Sequence, residues 1–379
     1  MRWLAWLGVA VVGLLGSCAL GPQVGTGAAK ARKDREFTEF FRRTNGWTAG
    51  DGAVSVPLSD GRVLWLFGDS HVDDYDRATG TMPCLFQVRN AGLIRRGEGR
   101  GKKGEGRRKR EGAVTLVGRG PGSRSWFRHP EDEGQWFWPV CGFQNGEVVY
   151  VYLTALRKRN REGKWDFESG GRDYWGKIKF PELEPITYSR LPEFHGIGFG
   201  QGFVKEGKYT YAFGGKQHGL VGDVYVARFK SAEPEGDWSF WDGVKWSANV
   251  TNAAVIAQGA STSIHVCKVR DKFLLTTSAV SLACDGGREI LMATSSRPTG
   301  PFSPLKVVFA INDRYRGHYP FFYFPVAHPE FINEGDELLV TYSINGYEPC
   351  VSACVKGRAI PDHYRPKAIR VPLELMEVK

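Results

Sequence analysis

Two aspartates, Asp51 and Asp69, close the ends of the stretch "TAGDGAVSVPLSDGRVLWLFGDSHV", residues 48–72. Between them the β-prone residues Val54, Val56, Val63, Leu64, Trp65, Leu66 and Phe67 surround Ser59-Asp60-Gly61, which tolerates turn dihedrals. A hairpin folded about Asp60 sets the two acids across from each other, where Cβ atoms are about 4.5–5.5 Å apart and like charges repel. Carboxyls that close push their proton affinities apart, so that one stays protonated near neutral pH while the other ionises. Glycosidic-bond cleavage needs such a pair: one acid protonates the leaving oxygen, and the other attacks the anomeric carbon or activates water. The competing local reading makes both acids turn residues flanked by glycine, in "GDG" and "GDS".

The positioning elements recur along the chain. The hairpin "VPLSDGRVLWLFGDS" is followed by "CGFQNGEVVYVYLTA", "GFVKEGKYTYAFGGK", "CKVRDKFLLTTSAVS" and "EFINEGDELLVTYSIN". Their turns centre near residues 60, 145, 206, 270 and 334, and the last three intervals are about 61 to 64 residues. Further strand-like runs between the hairpins bring each unit towards four strands, and helical periodicity is scarce. This pattern predicts an all-β, five-bladed β-propeller over residues 37–379, with "EFTEFFRRT" as a closing strand or short helix and "KAIRVPLELME" completing the last blade. A pair of β-sandwiches would not repeat one hairpin at a single period.

In a ring of this kind the ends of the hairpins converge on one face. The positions equivalent to the acid pair are Trp136 and Trp138 in blade 2, and His195, Gln201, Lys216, Gln217 and His218 in blade 3. Blade 4 brings Ser263 and His265; blade 5 brings His328, Glu330 and Asn345. Trp47 is expected to floor the pocket or pack, and Arg89 and Asn90 to bind hydroxyls or satisfy strand carbonyls. His265 also reads as a core histidine. Glu193 and Glu330 are the reserve acids. No metal-ligand spacing stands out and no cofactor is expected, although a propeller channel can hold an ion.

The N-terminus sets the compartment. A basic Met1-Arg2, an apolar run over residues 3–15 and Leu15-Gly16-Ser17-Cys18 form a signal peptide, 1–17, with a lipobox. Cys18 is the expected lipidation site, residues 18–36 a flexible leader, and the outer membrane or cell surface the expected location, with the ring a monomer tethered through lipid. The formal charge of +10 is concentrated in "RRGEGRGKKGEGRRKR", residues 95–110, within an insertion spanning 95–112. That segment is glycine-rich and has no aromatic to stack a base, so it reads as a solvated loop and no nucleic-acid partner is expected. The cysteines other than Cys18 allow fifteen pairings.

At "GWTAGDGAVSVPLSDGRVLWLFGDSHV", "ILMATSSRPTGPFS" and "AHPEFINEGDELLVTYSIN" the chain resembles exported bacterial five-bladed propellers catalogued as domains of unknown function, some of them endo-D-arabinanase-like glycoside hydrolases. The resemblance runs over most of residues 44–379. It implies an architecture related to arabinanases and levansucrase-type enzymes, with Asp51 and Asp69 as the catalytic carboxylates. Taken together, these readings predict a glycoside hydrolase acting on an extracellular polysaccharide or oligosaccharide, with an arabinofuranoside linkage as one candidate. A non-catalytic glycan-binding lipoprotein is the competing class. A propeller lyase or sialidase-like enzyme is third, since only Arg89 stands ready as an arginine at the channel.

Overall fold

The computed structural model describes residues 30–96, 113–119, 124–159, 167–281, 285–346 and 353–378. Five antiparallel sheets succeed one another along the chain. Blade 1 comprises Val54–Pro57, Arg62–Phe67, Ala91–Arg96 and Val114–Leu116; blade 2 is built on Gln135–Asn145, Val148–Lys158, Tyr174–Lys179 and Ile186–Arg190. Blade 3 has Gly198–Glu206, Tyr209–His218, Val221–Lys230 and Trp238–Trp241, and blade 4 has Ile264–Val269, Lys272–Ser278, Glu289–Ser295 and Lys306–Ala310. Blade 5 joins Phe321–His328, Glu337–Asn345 and Lys367–Pro372 to Arg32–Lys33 from the other end of the chain. The five turns read from the sequence fall on five separate blades, between Pro57 and Val63, Asn145 and Val148, Glu206 and Tyr209, Val269 and Lys272, and His328 and Leu339.

Each sheet is flanked by its neighbours, and the second strands of blades 1 and 5 are buried along their length instead of alternating. Val63 to Phe67 are all buried, as are Leu338 to Ile344. The core is accordingly divided among the five junctions. Val56, Leu64, Phe137 and Val151 join blades 1 and 2; Tyr152, Trp175, Phe199 and Phe229 join 2 and 3. Val204, Phe213, Val266 and Leu275 join 3 and 4, and Leu274, Ile290, Val340 and Ile369 join 4 and 5. Trp65, Phe67 and Leu93 meet Leu339 and Ala368 where blade 1 closes on blade 5. Adjacent inner strands approach closely: a Cβ at Gly202, whose φ is +154, would stand 1.8 Å from the Val266 carbonyl oxygen of the next blade.

Closure begins earlier than the sequence indicates. Arg32 pairs with Arg370 and Lys33 with Ile369, because three strands from the C-terminus leave the Lys367–Pro372 edge open. The leader expected to run free to residue 36 therefore joins the sheet at residue 32. "EFTEFFRRT" becomes the helix Arg35–Phe40, whose N-cap Asp34 accepts from the Phe37 amide at 2.9 Å. The same Asp34 pairs with buried Arg370 at 2.6 Å. Arg95 and Arg96 end a strand of blade 1, with the Arg95 guanidinium over Phe37 and Phe40. Residues 97–112, Cys18, Cys284 and Cys350 lie outside the described residues. Cys84 and Cys354 form a disulfide, and Cys141 and Cys267 are buried thiols.

Candidate active site

The blade 1 hairpin keeps a single register beyond its own strands. Val54 opposes Leu66, and past the acids Gly50 of Trp47–Gly50 opposes Ser70 of Ser70–Val72. Asp51 and Asp69 fall between these two ladders and therefore face each other. The Asp51 amide donates to the Asp69 carbonyl at 3.4 Å, and the Gly68 amide to the Asp51 carbonyl at 2.9 Å. Gly52 and Ala53, with φ of 96 and 46, bend the chain between Asp51 and the blade strand. The Asp51 carboxyl lies over Gly68, where a Cβ would stand 2.6 Å from Oδ1.

Three blades supply the donors around this pair. Tyr323, near the start of the inner strand of blade 5, donates its hydroxyl to Asp51 Oδ2 at 2.8 Å, and Tyr364 donates to the same oxygen at 3.2 Å. Asn345 hydrogen-bonds Tyr323 in turn. Asp69 Oδ1 accepts from Trp138 Nε1 of blade 2 at 3.3 Å and from Arg89 at 3.4 Å. Burial pushes the Asp51 carboxyl up to about 6 against the two phenols, which favour its ionised form. Burial and then the charge of Asp51 push Asp69 up to about 7, against Arg89 and Trp138. Burial thus raises both carboxyls well above the usual aspartate range.

The Cys84–Cys354 bridge clamps the rim of this site. It ties the segment carrying Phe86 and Arg89 to the one leading to Tyr364, beside the short pairing of Met82–Pro83 with Arg358–Ala359. Phe86 stacks on Tyr364, with ring centroids 6.5 Å apart, and Arg89 lies between the rings of Phe86 and Trp136. Tyr323, Tyr364 and the Phe86 contact are absent from the sequence reading: the two tyrosines lie in blade 5 or its connection, Phe86 lies in a connection of blade 1, and none carries a local signal.

Several expected lining residues sit elsewhere. Trp47 is fully buried, its ring tilted against Phe67 with centroids 4.2 Å apart and its Nε1 donating to Ser70, so it packs behind the acids and presents no face. Asn90 is buried as well; its amide donates to the carbonyls of Phe127 and Phe137 and accepts from the Phe127 amide. It staples blade 1 to blade 2 and binds no hydroxyl. His328 and Glu330 leave the inner strand of blade 5 at the end opposite Tyr323, because that strand runs away from the site. His328 bonds Ser55 and Thr341; Glu330 is a channel acid that burial pushes up to about 7. His265 is buried and held neutral, its proton affinity lowered by burial to about 4. His195 and Gln217 do stand at the open end of the blade 3 hairpin, the end at which blade 1 carries its acids; both are exposed, and Gln217 donates to the Gly219 carbonyl. Glu193 is exposed and accepts from the His195 amide. A further carboxyl, the half-buried Asp173, accepts from the Tyr152 hydroxyl, is raised by desolvation to about 6 and stands at the same end of blade 2 as Trp138. Among the described residues no group of three His, Cys, Asp or Glu is arranged to hold a metal ion. A cavity of about 420 Å³ lined by Lys205, Lys208, Tyr209 and Lys230 lies at the turn of blade 3, on the far side of the ring from the acid pair.

The chain matches the model of the family described as domain of unknown function DUF5005 over residues 34–373. It belongs to that family. No curated protein matches it in sequence. A solved structure from Bacteroides ovatus ATCC 8483, titled a "putative hydrolase", is 19% identical, with a TM-score of 0.67 over 90% of each chain. An alpha-L-arabinofuranosidase from Lactobacillus brevis is 13% identical, with a TM-score of 0.46 over 85% of this chain and 90% of its own. An exo-beta-1,3-galactanase from Phanerochaete chrysosporium is 11% identical, with a TM-score of 0.46 over 87% of this chain and 63% of its own. The first of these likenesses shows the fold of the DUF5005 chain, a five-bladed propeller.

Proposed function

We propose that this DUF5005 protein is a glycoside hydrolase in which Asp69 is the general acid and Asp51 the ionised partner that attacks or activates water. The observation that supports it is the opposition of two buried carboxyls with unequal surroundings. Two phenols on a single oxygen of Asp51 stabilise its anion, and that anion in turn holds the proton on Asp69. Trp138, half-buried beside the pair, is the ring proposed to stack a sugar. The substrate is an extracellular polysaccharide, with arabinofuranoside linkages to be tried first. Lipidation at Cys18 would hold the ring at the outer membrane or cell surface; Cys18→Ala would then release it into the soluble fraction.

The experiment is release of new reducing ends from a panel of plant and bacterial polysaccharides by the purified ring. Turnover of at least one is expected. Tight binding of a glycan that is never cleaved would instead support a binding lipoprotein using the same cleft.

A further inference from the structure

Arg89 is an odd neighbour for a general acid. A guanidinium beside Asp69 favours the carboxylate, whereas protonating a leaving oxygen requires the acid form. Its geometry shows a second use. The side chain is 39% exposed, held in place by Phe86 at 5.1 Å and Trp136 at 4.1 Å, and only Nη1 reaches Asp69, at a long 3.4 Å. Nε and Nη2 have no partner among the described residues. An always-charged planar fork with free donors at the mouth of a cleft fits an oxyanion better than a hydroxyl.

We propose that Arg89 recognises a negative charge on the substrate, so that the glycan cleaved here is acidic, carrying a carboxylate, sulfate or phosphate on a sugar beside the scissile bond. The inference rests on the hydrolase reading and names its substrate class. When the substrate anion takes the guanidinium, Asp69 loses the cation that favours its ionised form. The remaining groups facing it are Asp51 across the ladder, Tyr323 from blade 5 and the neutral donor Trp138 from blade 2. The proton is then retained on Asp69 when an acidic glycan is bound.

The test is binding by calorimetry, which needs no turnover. The probes are a galacturonate oligomer, a sulfated galactose oligomer and a mannose phosphate, each beside its uncharged counterpart, against wild type, Arg89→Gln, Arg89→Lys and a charge-matched control, Arg62→Gln. Arg62 sits on the far turn of blade 1, paired with Asp60. At least one charged probe should bind about tenfold or more tighter than its neutral form. That preference should vanish in Arg89→Gln, survive in part in Arg89→Lys, persist in Arg62→Gln, and identify the oxyanion. Equal affinity for charged and neutral forms, or a preference unchanged in a folded Arg89→Gln, would overturn the proposal. Cleavage of a neutral polysaccharide with no charged preference would sink it and leave the hydrolase reading intact. An Arg89-dependent preference without any turnover would do the reverse.

Discussion

Asp51 takes two phenolic hydrogen bonds on Oδ2, and the division of work proposed for the two acids rests on this asymmetry. Tyr323→Phe removes the closer donor, so the Asp51 carboxyl should rise further and the acidic limb of the kcat/KM–pH profile should move to higher pH. An unmoved limb would detach Tyr323 from the chemistry. The raised carboxyls also predict a stability effect with a definite sign. Native Asp51 and Asp69 hold protons that the unfolded chain releases near 3.8, so their contribution to stability is present at low pH and is lost as pH climbs through about 6 and about 7. Asp69→Asn should therefore melt higher than wild type at neutral pH and converge with it in acid; a lower melting point at neutral pH would mark Asp69 as a structural turn acid. Gly68→Ala places a methyl against Asp51 Oδ1 and should lower turnover with little change in expression. The opposition of the acids was legible because hairpin register follows from turn position alone. Their partners were not, since Tyr323 and Tyr364 lie 272 and 313 residues from Asp51. His328 misled for a related reason: "AHPEF" resembles a strand start by composition, yet it ends the inner strand of blade 5, and only the direction of that strand places it away from the acids.

Among the elements, the disulfide and the N-terminal strand decide whether the acids keep their setting. The Cys84–Cys354 bridge joins segments 270 residues apart and holds Tyr364 and Arg89 over opposite acids. Reduction should cost on the order of 2–5 kcal/mol of stability, read by denaturant melts. Below the unfolding threshold it should lower kcat more than it disturbs far-ultraviolet dichroism; unchanged kcat in the reduced, folded protein would make the bridge purely structural. The sequence left its pairing open, because cysteine spacing carries no information about which loops the ring brings together. Asp34 and Arg370 form the other clamp, both nearly excluded from water. Asp34→Ala strips the cap from helix Arg35–Phe40 and leaves a buried guanidinium unpaired, so a loss of about 3–5 kcal/mol is expected in denaturant melts. A loss below about 1 kcal/mol, the scale of an exposed pair, would show that this closure is not needed.

For the whole molecule, the five-fold hairpin repeat could be read from sequence because each blade repeats two β-prone strands about a tight polar turn. The closing strand could not, being two residues of arginine and lysine whose only mark is the edge they complete. What the ring achieves is convergence: blade 1 supplies the acids, blade 2 Trp138, blade 5 Tyr323, and the clasp Tyr364 and Arg89. No single blade holds the whole of the proposed site. The most direct measurement is the rate at which folded wild type, Asp51→Asn and Asp69→Asn release reducing ends from one polysaccharide that the wild type cleaves. Loss of about 10²–10⁴-fold or more in each variant, with melting curves that show an intact ring, is the predicted result. Near-normal turnover in either folded variant would contradict the assignment of the paired carboxyls.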